Sequence, residues 1–133
     1  MLARLLLAFV IFGAAPALAQ NEGPYLFDLL GDGAYRAAWN GMLNGEAVPD
    51  WVAAYAEDFD GPSSPSTKVS VGGEPYTLAW VCKAHDCGDN QLYVLFAPAG
   101  RQAWGLLISG GDQRQWLGNP DAAVQAAILS GVQ

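Results

Sequence analysis

Basic side chains are scarce in this chain. Six Lys and Arg stand against thirteen Asp and Glu in 133 residues, for a formal net charge of −7. Phosphate backbones are gripped by clustered cations, so this balance argues against a nucleic-acid partner and favours encounter with cationic molecules. Histidine occurs once and cysteine twice. A protein zinc site takes three or four ligands, and this inventory reaches three only with both thiols reduced. No cofactor is called for by any motif. Internal repeats and low-complexity tracts are also absent, and nothing marks a second folded unit.

The one long apolar stretch is at the start, "MLARLLLAFVIFGAAPALAQ". Arg4 is a short basic segment, Leu5 to Phe12 are apolar without a break, and Ala17-Leu18-Ala19 is a small-x-small cleavage site. This is the pattern of a secretory signal peptide over residues 1–19, cut after Ala19. The apolar core is well short of the roughly 20 residues that span a bilayer, so no membrane attachment is expected after cleavage. The expectation is a single domain over residues 20–133 in an oxidising compartment, where two cysteines are read as paired.

Helical signals come first along the mature chain. "YLFDLL" opens it. Asp32 then precedes Tyr35, Ala38, Trp39, Met42 and Leu43, spaced as one face of a helix. Gly45 stops that helix, and Pro49 opens "PDWVAAYAEDF". The segment "DGPSSPS", residues 60–66, reads as a loop. Strand signals follow: "TKVSV", "PYTLAWVC", "QLYVLFA", "QAWGLLIS" and "RQWL", joined by Gly-rich turns. Asn119 and Pro120 read as the cap and first turn of a last helix carrying Val124, Ala127 and Ile128 on one face. Short connections require antiparallel pairing, and "QLYVLFA", apolar on both faces, must be covered from both sides. The expected fold class is α+β: an antiparallel sheet of about five strands between layers of helix.

All three rare residues fall in "VCKAHDCGDN", residues 81–90, with His85 between Cys82 and Cys87. A thioredoxin-like site would place C-x-x-C at a helix start, which differs in both spacing and context. An exported metal or thiol enzyme using Cys82, His85 and Cys87 remains the rival reading, and it requires free sulfurs. A disulfide between them would close a six-residue ring and limit what Lys83, Ala84, His85 and Asp86 can do before a partner arrives. On the residues alone, a stabilising staple with an incidental histidine and a preorganised recognition loop are both open.

The segment "CKAHDC" resembles the C-K-P-H-D-C signature of the Ivy family, inhibitors of vertebrate, chicken-type lysozyme. Ala84 stands where the family has proline. The resemblance extends through "YTLAWVCKAHDCGDNQLYVLFAPAG" and reaches "AYRAAWNGML", "VPDWV" and "WLGNP". It implies an exported periplasmic protein, often dimeric, that performs no catalysis. It also implies that the protruding loop enters the lysozyme cleft, with His85 as the central inhibitory residue, Lys83 and Asp86 flanking it, and Cys82 bonded to Cys87. Endogenous lytic transglycosylases are a further partner class that the resemblance brings in. Trp116, Leu117, Gly118, Asn119 and Pro120 are carried forward as a second candidate contact. Their plainer reading is Trp116 in the core and Asn119 as a helix cap.

Overall fold

The computed structural model describes residues 23–133 together with Gly13. The expected signal segment and its cleavage at Ala19 fall outside the described residues. Five strands form one antiparallel sheet in sequence order: β1 (Ser63–Val71), β2 (Glu74–Cys82), β3 (Gln91–Phe96), β4 (Ala103–Ser109) and β5 (Gln113–Leu117). Among the described residues three helices precede the sheet, α1 (Leu26–Leu29), α2 (Gly33–Leu43) and α3 (Asp50–Asp58), and α4 (Ala122–Leu129) follows it.

Alternation along the strands divides the apolar residues between two cores. Ala79, Val81, Leu92, Val94, Phe96, Leu107 and Leu117 point to one face and pack with Leu26, Trp39, Met42, Val52 and Tyr55 from α1, α2 and α3. Leu78, Tyr93, Leu95, Leu106 and Ile108 point to the other and pack with Val124, Ala127 and Ile128 from α4. The helix, sheet and helix layers therefore agree with the expectation, and β3 is buried on both sides beyond Gln91. Asp32 caps α2 as expected, its carboxylate accepting the Ala34 N–H at 2.8 Å.

Two local expectations are corrected. The strand run does not wait for Thr67: β1 begins at Ser63, inside the segment read as a loop. Proline is tolerated there because β1 is an edge strand and its register shifts between Ser64 and Thr67. Across that irregularity Ser66 exchanges backbone hydrogen bonds with Gly23 and Pro24, at 3.1 and 2.9 Å. At the other end Asn119 is not the helix cap. It has a left-handed φ of 56°, and α4 is capped by Asp121, which accepts the Val124 N–H at 2.9 Å.

Tyr55 of α3 has no solvent exposure, and its hydroxyl has no hydrogen-bond partner among the described residues. Burial is the main cause that pushes the phenol up to about 12, and the Asp28 and Asp58 charges add to it; the Ser63 side chain stands near enough to temper the rise without making a bond of sound geometry. The unfolded phenol, by contrast, ionises near 10. Stability contributed by Tyr55 is thus fully present below pH 10 and is lost as pH rises toward 12, by on the order of 2 kcal/mol. Tyr55→Phe is expected to remove this alkaline loss. Urea unfolding of both proteins at about pH 9 and about pH 11.5 checks it, and equal losses in the two would refute the assignment.

Candidate functional site

Strands β2 and β3 end level with each other, Cys82 opposite Gln91. One further rung continues the ladder, the Lys83 N–H donating to the Asn90 carbonyl at 3.0 Å. The chain between them first makes a turn over Lys83–Asp86, closed by the Asp86 N–H donating to the Lys83 carbonyl at 3.0 Å. His85 has a φ of 65°, whereas Ala84 is not among the residues of positive φ. That combination defines a type II turn, which favours proline at its second position and glycine or asparagine at its third. Here those positions hold Ala84 and His85. Placing a side chain other than glycine in the left-handed region costs about 1 kcal/mol, histidine being among the more tolerant types.

The second half of the loop is braced from inside. The Asp86 carbonyl accepts the Asn90 N–H at 3.1 Å, and its carboxylate accepts the Asn90 side-chain amide at 2.8 Å. Cys82 and Cys87 are bonded, with Cα atoms 4.9 Å apart. Closing so small a ring removes about 2 kcal/mol of loop entropy from the unfolded chain. With neither cysteine free, no thiolate is left for the metal or thiol-enzyme reading. Among the described residues there is also no group of three His, Cys, Asp or Glu that could hold a metal.

Two neighbouring segments hold the loop from outside. The Pro62 carbonyl accepts the Cys82 N–H at 3.0 Å. Gly61 presses so close that a Cβ there would collide with the Cys82 carbonyl oxygen, and its φ is 125°. On the other flank the Gly111 N–H donates to the Asp89 carbonyl at 2.9 Å. A side chain at Gly111 would meet the Asp89 carboxylate at 3.1 Å in a backbone of φ 85°. Within this frame Lys83 and His85 are exposed, Ala84 and Asp86 are half-buried, and Cys82 is buried.

Lys83, Ala84, His85 and Asp86 are thus brought together on one short protrusion. The stretch 116–120 is not part of it. Leu117 pairs with Gly105, which pairs with Val94, whereas the loop follows the rung of Gln91. The stretch leaves the opposite end of the sheet: Trp116 packs on the α4 side, Leu117 and Pro120 are buried, and Gly118 and Asn119 turn the chain with φ of 79° and 56°. Sequence reading missed Asn90, Gly61 and Gly111 as parts of the site. For the two glycines the available signal was residue type, since each occupies a positive φ against another segment.

The geometry defines a braced, disulfide-closed loop on a two-sided scaffold. The sequence matches the family described as Inhibitor of vertebrate lysozyme (Ivy) over residues 34–128. A Pseudomonas aeruginosa protein named inhibitor of vertebrate lysozyme is 40% identical, over 93% of this chain and 90% of its own length. The protein of the same name in Escherichia coli strain K12 is 30% identical, over 82% of this chain and 69% of its own. An uncharacterised Yersinia pestis protein is 29% identical, over 80% and 75%. The chain belongs to the Ivy family of lysozyme inhibitors.

The turn type generates a direct test. Ala84 occupies the position where proline is favoured, and its N–H takes no part in the loop's backbone hydrogen bonds. Ala84→Pro is therefore expected to stabilise the protein by roughly 0.4–1 kcal/mol. The shift in denaturant midpoint measures this, and a marked destabilisation would mean that the loop does not form this turn.

Proposed function

We propose that the protein is an exported, periplasmic inhibitor of chicken-type lysozyme that acts by occlusion, with His85 inserted between the enzyme's catalytic carboxyl groups. The observation that carries the reading is the exposed imidazole at a left-handed turn position inside a disulfide ring. Glycine would serve the backbone better at this position, so the choice of histidine points to its side chain.

The chemistry suits the target. Lysozyme works with two carboxyl groups facing each other across its cleft. A protonated imidazole donates from both ring nitrogens and can bond to both. Lys83, exposed beside it, adds a second positive charge toward the same acidic cleft. The braced loop fills the space a sugar ring would occupy, and little ordering remains to be done on binding. The chain's negative balance accelerates encounter with a cationic enzyme, an effect that salt screens.

His85→Ala is expected to weaken binding by about 2–5 kcal/mol, mainly through faster dissociation, because the enzyme's carboxyl groups are left buried against an apolar stub. His85→Asn separates side chain from backbone, since asparagine also tolerates the left-handed region. It should lose nearly as much. Association and dissociation rates, together with a cell-wall turbidity assay, measure both variants. Wild-type dissociation in His85→Ala would remove His85 from the centre of the mechanism. Export is supported by Arg4, the run Leu5 to Phe12 and Ala17-Leu18-Ala19. Mass spectrometry of the exported protein is expected to find Gln20 at its start, and a form retaining Leu5 to Phe12 would count against a periplasmic inhibitor.

A further inference from the structure

We propose that Tyr25, Phe27 and Phe59 form a second contact surface for the same enzyme, receiving an arginine or lysine side chain from the rim of its cleft. The proposal rests on the lysozyme-inhibitor reading and concerns a part of the molecule outside the loop.

The rings form one continuous surface. Tyr25 and Phe27 stack with centroids 5.1 Å apart, Phe27 meets Phe59 at 6.3 Å, and Phe59 stands edge-on to buried Tyr55 at 5.9 Å. Phe27 and Phe59 are each 38% exposed, and only one other large apolar residue among those described, Leu129, is comparably exposed. Adjoining exposed rings of this kind mark contact surfaces more often than scattered single residues do.

Phe59 repeats the backbone choice made at His85. It ends α3 in the left-handed region, with φ 51° and its N–H bonded to the Tyr55 carbonyl. Glycine is the usual occupant of such a position. A phenylalanine kept there, with more than a third of its surface in water, is kept for its ring.

The surroundings specify a cation. Asp28 follows Phe27, while Asp58 and Asp60 flank Phe59, and all three are exposed. The Asp28 and Asp58 carboxylates each accept one backbone N–H, from Tyr25 and Asp60 respectively. The nearby guanidinium of Arg36 is occupied by the Leu30 and Ala56 carbonyls and by Glu57. Aromatic faces rimmed by carboxylates favour an incoming guanidinium or ammonium group.

The surface also lies at the loop's end of the molecule. Phe59 is two residues from Gly61, within about 7 Å along the chain, and Gly61 and Pro62 hold the Cys82 backbone. One partner can therefore meet both. Tyr25 and Phe27 precede the family match over residues 34–128, so this surface draws on residues outside the matched segment.

The test measures chicken-type lysozyme binding rates for wild type, Phe59→Gly, Asp60→Asn, His85→Ala and the Phe59→Gly/His85→Ala double variant, with melting temperatures for each. Phe59→Gly is expected to remain folded and to dissociate about tenfold faster. Asp60→Asn, at an exposed position, should associate more slowly and with a weaker salt dependence. In the double variant the two losses should add. Wild-type rates in both Phe59→Gly and Asp60→Asn, while His85→Ala loses binding, would overturn this surface and leave the loop mechanism standing. Wild-type rates in His85→Ala would instead overturn the loop mechanism. If Phe59→Gly only converts a dimer to a monomer and affinity is unchanged, the rings belong to self-association and the proposal fails.

Discussion

The disulfide-closed loop depends on the burial of the β2–β3 ladder from both sides. Val81, Leu92 and Val94 are sealed by the first three helices, and Leu78, Tyr93 and Leu95 by α4. A one-residue slip would send each set to the wrong core, so register is fixed from both faces at once. That places Cys82 opposite Gln91, and with them the ends of the eight-residue connection. The disulfide, the Asp86–Asn90 pair and the contacts from Pro62 and Gly111 then act on a loop whose stem is already held.

Much of this was legible in the sequence. Apolar runs bounded by turn residues located β2, β3 and β4, and the two-faced run at β3 required helices on both sides. The spacing of Trp39 and Met42 located the buried face of α2. Where reading failed, a non-local contact was responsible. Ser63 to Ser66 looks like a loop because Pro and Ser dominate it, yet Ser63 and Ser64 pair with Val81 and Trp80 of β2, and Ser66 bonds to Gly23 and Pro24 across the register shift. Asn119 and Asp121 are both competent caps by residue type, and the left-handed turn at Gly118 and Asn119 selects the later one.

The site divides the same way. Its chemistry was visible in "CKAHDC", and the paired sulfurs of the structure agree with the pairing expected of an exported chain. Its bracing was not visible, because Gly61 and Gly111 lie some twenty residues away on either side and approach through backbone contact. Backbone angles carried information that residue types did not. Of the four residues other than glycine with positive φ among those described, Ala99 and Asn119 turn the chain at the far end of the sheet, while His85 and Phe59 hold exposed rings at the loop's end.

The ties that hold the loop stem from outside run between main-chain atoms: the Cys82 N–H to the Pro62 carbonyl, and the Gly111 N–H to the Asp89 carbonyl. Neither involves the side chain of Lys83 or His85, which face solvent. These ties consequently do not depend on the side chain at position 83, and at position 85 they ask only for a residue that tolerates the left-handed φ of 65°. Such a tip can be altered by point changes at exposed Lys83 without renegotiating the fold. In a laboratory setting the same separation makes the ring a display site, where side chains varied at position 83, and at position 85 among types that tolerate its φ, would be presented on a frame still braced by the Asp86–Asn90 pair.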